Sequence, residues 1–145
     1  MEWRFPSRLD ELSRVGMEVI RFLESNGIGG RSAYAANLAL EELGTNILNY
    51  GYDDHKVHEI LLQIQIRPDA LQLVLEDDGH PFNPLDYSAP ALDLPAEERL
   101  PGGLGIYLVR KMADRIGYQR CAGRNRVTVE IQLSAADPDA KTENS

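Results

Sequence analysis

Cysteine is nearly absent. Cys121 stands alone in 145 residues, so no internal disulfide can form and the fold must rest on its core. Such sparing use suits a reducing compartment. Long apolar runs are missing too. No stretch approaches the roughly 18 consecutive apolar residues of a membrane-spanning helix. The N-terminal MEWRFPSRLDEL lacks the basic-then-apolar order of an export signal. These absences set the expectation of a cytoplasmic protein with no membrane partner. Positive charge is also scarce: 15 Lys and Arg face 23 Asp and Glu, giving a net charge of -8 and a pI near 4.8. A direct nucleic-acid binder normally presents a basic face, so that class is disfavoured. The one basic concentration, Arg110, Lys111, Arg115, Arg120, Arg124 and Arg126, would suit an acidic or phosphate-bearing partner.

What remains is an ordinary globular composition, 43% apolar and 26% charged. A chain of this length is expected to form one domain that buries about two-thirds of its unfolded surface. EWRF reads as a short first strand. Pro6-Ser7 then opens a helix, with Ser7 as N-cap and Asp10 three residues on. Leu9, Leu12, Val15, Val19 and Leu23 repeat every three or four residues until Asn26-Gly27 stops the run. A second helix spans about Ser32 to Tyr50, with Ala36, Leu40, Leu43, Ile47 and Tyr50 as its core stripe. The period then falls to two. Ile60, Leu62, Ile64 and Ile66 define one strand face, and Leu71, Leu73 and Leu75 define another beyond the turn at Arg67-Pro68-Asp69-Ala70. A helix through Leu108, Val109, Met112 and Ile116 and two closing strands, GYQRCA and RVTVEIQL, complete a domain over residues 1–133. The polar tail 134–145 is expected to be disordered.

Three segments carry residues that packing alone does not require. In LALEELGTNILNYGYDD, residues 38–54, Glu42, Asn46 and Asn49 stand four and three apart, which lines them up on one helix face. A solvated face and a site edge both fit that spacing. Asp77 shares the parity of Leu71, Leu73 and Leu75, so it is either a carboxylate on the core side of a strand end or the start of an Asp-Gly turn. Residues 79–101 hold five of the eight prolines and no period, the mark of a functional or disordered loop. Gly102-Gly103-Leu104-Gly105 then opens a helix, where backbone N–H groups and the helix dipole favour an anion, although a plain tight turn fits as well. No GxxxxGK[ST] P-loop occurs, and no strand immediately precedes the glycines as a dinucleotide fingerprint needs.

The order of the segments is more specific than any one of them. ExxxN on a helix, DDGHPFNP after a strand, a proline-rich loop, GGLGIYLV opening a helix, then GRNRVTV in a strand: this resembles the GHKL (Bergerat-fold) ATPases, and among them the small anti-sigma-factor serine/threonine kinases. The resemblance covers about residues 5–133. It implies an α+β fold, a two-layer α/β sandwich with a mixed, mostly antiparallel sheet and helices on one face. It implies ATP and Mg²⁺ as cofactors, with Glu42 as general base and Asn46 as the Mg²⁺ ligand. Asp77 would accept from the adenine amino group, and Gly79 would let the base approach the backbone. A lid would span about residues 80–101, with Gly102, Gly103, Leu104 and Gly105 around the phosphates and Asn49 near a phosphate or Mg²⁺. The implied partners are an anti-anti-sigma (STAS-domain) protein, whose serine or threonine would be phosphorylated, and a sigma factor; a homodimer fits the family. Two departures stand out. Tyr50-Gly51 replaces the usual His-Gly after the asparagine, and His80-Pro81-Phe82 follows the DxG segment.

Other readings compete. A nucleotide-dependent binding switch without useful kinase activity needs the same pocket, whereas a nucleotide-free interaction domain would keep only the fold. Asp53, His55 and His58 prompt a metal-dependent hydrolase, but no third ligand accompanies the His-x-x-His, and surface histidines fit better. Cys121 reads as a strand residue, and Trp3 and Phe5 as core or a dimer contact.

Overall fold

The computed structural model describes residues 1–86 and 103–133, with the backbone alone at residues 103 and 104. The expected tail, Gly102 and residues 87–101 of the expected lid lie outside the described residues. In chain order the elements are β1 (Glu2–Pro6), α1 (Leu9–Ser25), α2 (Gly30–Tyr50), β2 (Glu59–Ile66), β3 (Ala70–Asp77), a 3₁₀ turn (Pro84–Asp86), α3 (Gly103–Met112), β4 (Arg115–Cys121) and β5 (Arg124–Gln132).

The strands form a five-stranded sheet in the order β1-β2-β3-β5-β4. All four pairings are antiparallel, so the sheet is antiparallel throughout the described residues. The hydrophobic alternation explains its one-sided burial. Ile60, Leu62 and Ile64 of β2, Leu71, Leu73 and Leu75 of β3, and Val127, Val129 and Ile131 of β5 meet α1 and α2 in one core. Helix α1 supplies Leu12, Val15, Val19 and Leu23, each worth about 1.5–3 kcal/mol on full burial. Gly27, at φ 77°, ends that helix: its N–H reaches the Glu24 carbonyl, and the Ile28 N–H reaches Leu23.

Four local expectations need correction. Ser7 does not cap α1; Arg8 occupies that position, while the Ser7 hydroxyl accepts the His58 N–H at 2.8 Å. Ser7 N also reaches the His58 carbonyl, so this serine prolongs the β1–β2 pairing instead. Leu9, at the first turn of α1, is exposed. Tyr50 is 43% exposed, because the packed stripe of α2 ends at Ile47 and the chain turns away at Gly51. Finally, α3 stops at Met112, and Ile116 belongs to β4 opposite Val129. Asp114 makes that switch: its N–H donates to the Glu130 carbonyl and its carboxylate accepts the Gln132 N–H.

Candidate functional site

Helix α2 runs past both halves of the expected site. Near its middle, the half-buried Glu42 lies against the first turn of α3. A Cβ placed on Gly105 would come within 2.7 Å of the Glu42 carboxyl carbon, so any larger residue there would have to push the Glu42 carboxylate aside. Burial raises the Glu42 pKa above the ordinary carboxylate range, and the neighbouring Glu41 charge adds to it. One turn on, Asn46 is 5% exposed and its Nδ2 has no hydrogen-bond partner among the described residues. An unpaired buried amide costs about 1–3 kcal/mol, so such a group commonly marks a place meant for something else. Asn49 is exposed at the helix end.

Beyond Tyr50, the chain binds the other half. The Gly51 carbonyl accepts the His80 N–H at 2.8 Å, pinning the end of α2 to the segment after β3. Asp77 closes that strand on its core side, 4% exposed, as its parity foretold. Its Oδ2 accepts the Gly79 N–H at 2.8 Å and the Asn125 amide at 3.2 Å, while Oδ1 takes no hydrogen bond among the described residues. Burial raises the Asp77 pKa; the Gly79 N–H and the Asn125 amide oppose the rise. A Cβ on Gly79 would stand 2.9 Å from Asp77 Oδ2 and collide with the Gly51 carbonyl. Glu42 and Gly105 are thus brought into contact, and so are Asp77 and Gly79. Gly103 and Leu104 enter α3 just before Gly105.

Sequence reasoning missed the layer around Asp77. Asn125 opposes Asp77 across the β3–β5 pair and is buried. The signal was available, since Asn125 shares the inward parity of Val127, Val129 and Ile131. The segment after α2 was missed as well. His58 stacks on Tyr52 at 3.9 Å between ring centroids, with Nε2 at 2.8 Å from Asp54 and Nδ1 at 3.2 Å from Asp78. The Asp54 hydrogen bond chiefly raises the His58 pKa. Burial, reinforced by Asp77 and Asp78, drives the Tyr52 pKa up, so its phenol stays neutral. His80 meets Asp53 at 3.0 Å. These histidines fasten a loop to the Asp77 turn, and no cluster of three metal-ligating side chains occurs among the described residues. Nor is any described helix long and apolar enough to cross a membrane.

Helix α2 thus seats a carboxylate against the glycine-started helix α3 and ends tied to the turn that follows a buried strand-end aspartate. Residues 5–131 match the histidine kinase-like ATPase domain model, and the chain belongs to that family. Similar curated proteins include the serine-protein kinase RsbW of Bacillus subtilis (strain 168), 25% identical over 114 aligned positions, with 70% of this chain and 69% of that protein covered. The serine/threonine-protein kinase BtrW of Bordetella bronchiseptica is 25% identical over 99 residues, 68% of this chain and 70% of its own. RsbW of Bacillus mycoides is 24% identical over 125 aligned positions, with 80% and 74% covered respectively.

Proposed function

We propose that this protein is an ATP-dependent serine/threonine protein kinase of the anti-sigma-factor type. The observation that carries the reading is the pairing of two sites by one helix: Glu42 on the first turn of α3, and Asp77, with one oxygen uncommitted, at the turn pinned to Gly51. Asp77 accepts a hydrogen bond from the 6-amino group of adenine through Oδ1, and Gly79 leaves room for the ring. Gly103, Leu104 and Gly105 present the start of α3 to the phosphates. Asn49, exposed beyond Asn46, reaches a phosphate or a metal-bound water.

Mg²⁺ suits the orphaned amide of Asn46. A half-turn about its last torsion presents Oδ1 where Nδ2 has no partner, and a hard cation takes oxygen ligands. When bound, Mg²⁺ neutralises charge on the triphosphate. Glu42 takes the proton of the acceptor hydroxyl as that oxygen bonds to the γ-phosphorus and the β,γ-bridging bond breaks, leaving ADP. The raised pKa of Glu42 makes it a better base than a solvated carboxylate, at the cost of activity that falls as pH drops toward that pKa. The acceptor is a serine or threonine of an anti-anti-sigma (STAS-domain) protein, and the ATP-bound form, a homodimer, silences a sigma factor in the cytoplasm.

Thermal melting with and without ATP and Mg²⁺ tests the site. At 100 times Kd, ligand binding adds about 2.7 kcal/mol to the native state. The wild type gains that stability and Asp77→Asn does not; a wild type unmoved by nucleotide sinks the reading. Glu42→Gln then separates the kinase from a nucleotide switch, because only a kinase loses transfer of labelled phosphate while keeping the ATP-induced shift.

A further inference from the structure

Asn125 has every hydrogen-bonding position of its amide occupied, and the two ends are chemically sorted. Nδ2 donates to Asp77 Oδ2 at 3.2 Å and to the His80 carbonyl at 2.6 Å. Oδ1 accepts from the Tyr118 hydroxyl at 2.6 Å, Arg120 Nη1 at 3.1 Å and the Phe82 N–H at 3.3 Å. Donors surround the oxygen and acceptors surround the nitrogen, so the amide has one workable orientation. Arg120 Nη1 also donates to the Gly79 carbonyl at 2.8 Å. Asn125 itself is 3% exposed, while Arg120 reaches it from the exposed edge of the sheet, and each satisfied bond restricts the others.

The register makes the arrangement possible. Asn125 pairs with Asp77 on one side and with Arg120 on the other. Its side chain is therefore held from β4 while it holds β3. The consequence falls on Asp77. Two donors, Gly79 N–H and Asn125 Nδ2, fix the same carboxylate oxygen, and both are hydrogen-bond donors that favour the ionised form. The other oxygen is left as a pure acceptor at a fixed angle. A 6-amino group satisfies such an oxygen; a 6-oxo group repels it.

We propose that Asn125, braced by Tyr118 and Arg120, is the positioning residue that makes the site choose a 6-aminopurine over a 6-oxopurine. The proposal rests on the nucleotide reading of the site and deepens it, since it assigns base selection to a side chain that does not itself need to touch the base. Asn125→Asp is the sharpest perturbation. It replaces a donor to Asp77 Oδ2 by an acceptor, so the two carboxyl groups hold a proton between them, Asp77 loses full negative charge, and Oδ1 becomes a weaker and less firmly aimed acceptor. The ionisable groups bearing on Asp77 are Asp78 beside it, Tyr52 from the loop after α2, and Arg120 from β4. All remain in the variant.

The measurement is the ratio of Kd for inosine diphosphate to Kd for adenosine diphosphate by calorimetry, with circular dichroism to verify folding. The wild type prefers the adenosine form at least tenfold, and Asn125→Asp narrows that ratio at least tenfold, chiefly by weakening the adenosine form. Tyr118→Phe, which removes one brace and keeps the ring, narrows the ratio two- to threefold; it carries the test if Asn125→Asp does not fold. Equal loss of both affinities, with the ratio intact, would overturn the proposal and reduce Asn125 to a structural part. A wild type that binds both nucleotides equally would overturn it too. A wild type that binds neither overturns the nucleotide reading beneath it, an outcome visible before any variant is made.

Discussion

Replacing Gly105 by alanine tests the closest approach in the site. The new methyl would sit 2.7 Å from the Glu42 carboxyl carbon and 3.2 Å from its Cγ, well inside ordinary contact. Overpacking of this order costs about 1–3 kcal/mol, with the low end applying here because the nearest atoms end a flexible, half-buried side chain. Against it stands the helix preference of alanine over glycine, about 1 kcal/mol in a helix interior and less in a first turn. The net effect is a loss of about 0–2 kcal/mol, with Glu42 swung away from its seat. In a Glu42→Ala background the obstacle is gone, and Gly105→Ala becomes stabilising by up to about 1 kcal/mol. The two substitutions therefore couple by about 1–3 kcal/mol, far from additive. Urea denaturation of the four proteins measures this, read at constant m so that the denatured state is the same in each. Additivity within about 0.5 kcal/mol would refute the contact on which the catalytic reading depends.

Nucleotide-free Asp77→Asn melts at or above the wild-type temperature at pH 7. A carboxylate whose folded pKa is raised binds protons more readily when folded, so its ionised form weakens the fold as pH climbs above its unfolded value of about 3.9; a lower melting temperature for the variant would contradict this. His58 acts with the opposite sign. Its raised pKa contributes stability in full below the unfolded value of about 6.5, and that contribution fades as pH rises through the folded pKa. Melting His58→Phe from pH 5 to 9 removes this part of the pH dependence while keeping a ring on Tyr52, and an unchanged profile would count against the Asp54 and Asp78 pairing. Gly79→Ala loses about 1–3 kcal/mol by urea denaturation, since the Gly51 carbonyl it meets is backbone and has no rotamer to escape into. A loss below about 0.5 kcal/mol would place the DDGH turn farther from α2 than described.

The parts of the fold readable in advance were those where one periodicity had one cause. Alternation in β2, β3 and β5 arises from a sheet buried on one face, and Asp77 could be found because it broke a pattern at a definite parity. Ile116 misled because Val109, Met112 and Ile116 satisfy a helical spacing as well as a strand does, and only the Asp114 bonds to β5 decide between them. Ser7 had the chemistry of a cap, but its hydroxyl found a donor 51 residues away at His58, a partner no local window contains. The site divides the same way. Helical spacing placed Glu42 and Asn46 on one face of α2, whereas the Asn125 network needed the pairing of β3 with β5 and of β5 with β4 before its partners could be named.

Helix α2 also works as a gauge. From Glu42 to Gly51 it advances about nine residues, which at roughly 1.5 Å each is about 13 Å of nearly rigid rod. One end seats the carboxylate on α3; the other is tied by Gly51 to the turn beside Asp77. The separation between Glu42 and the turn beside Asp77 is thereby set by the backbone hydrogen bonds of the helix. Adding one residue between them would lengthen the rod by only about 1.5 Å but turn its far end by about 100°. Register on this helix, more than its length, is what keeps Glu42 on α3 while the other end meets the Asp77 turn.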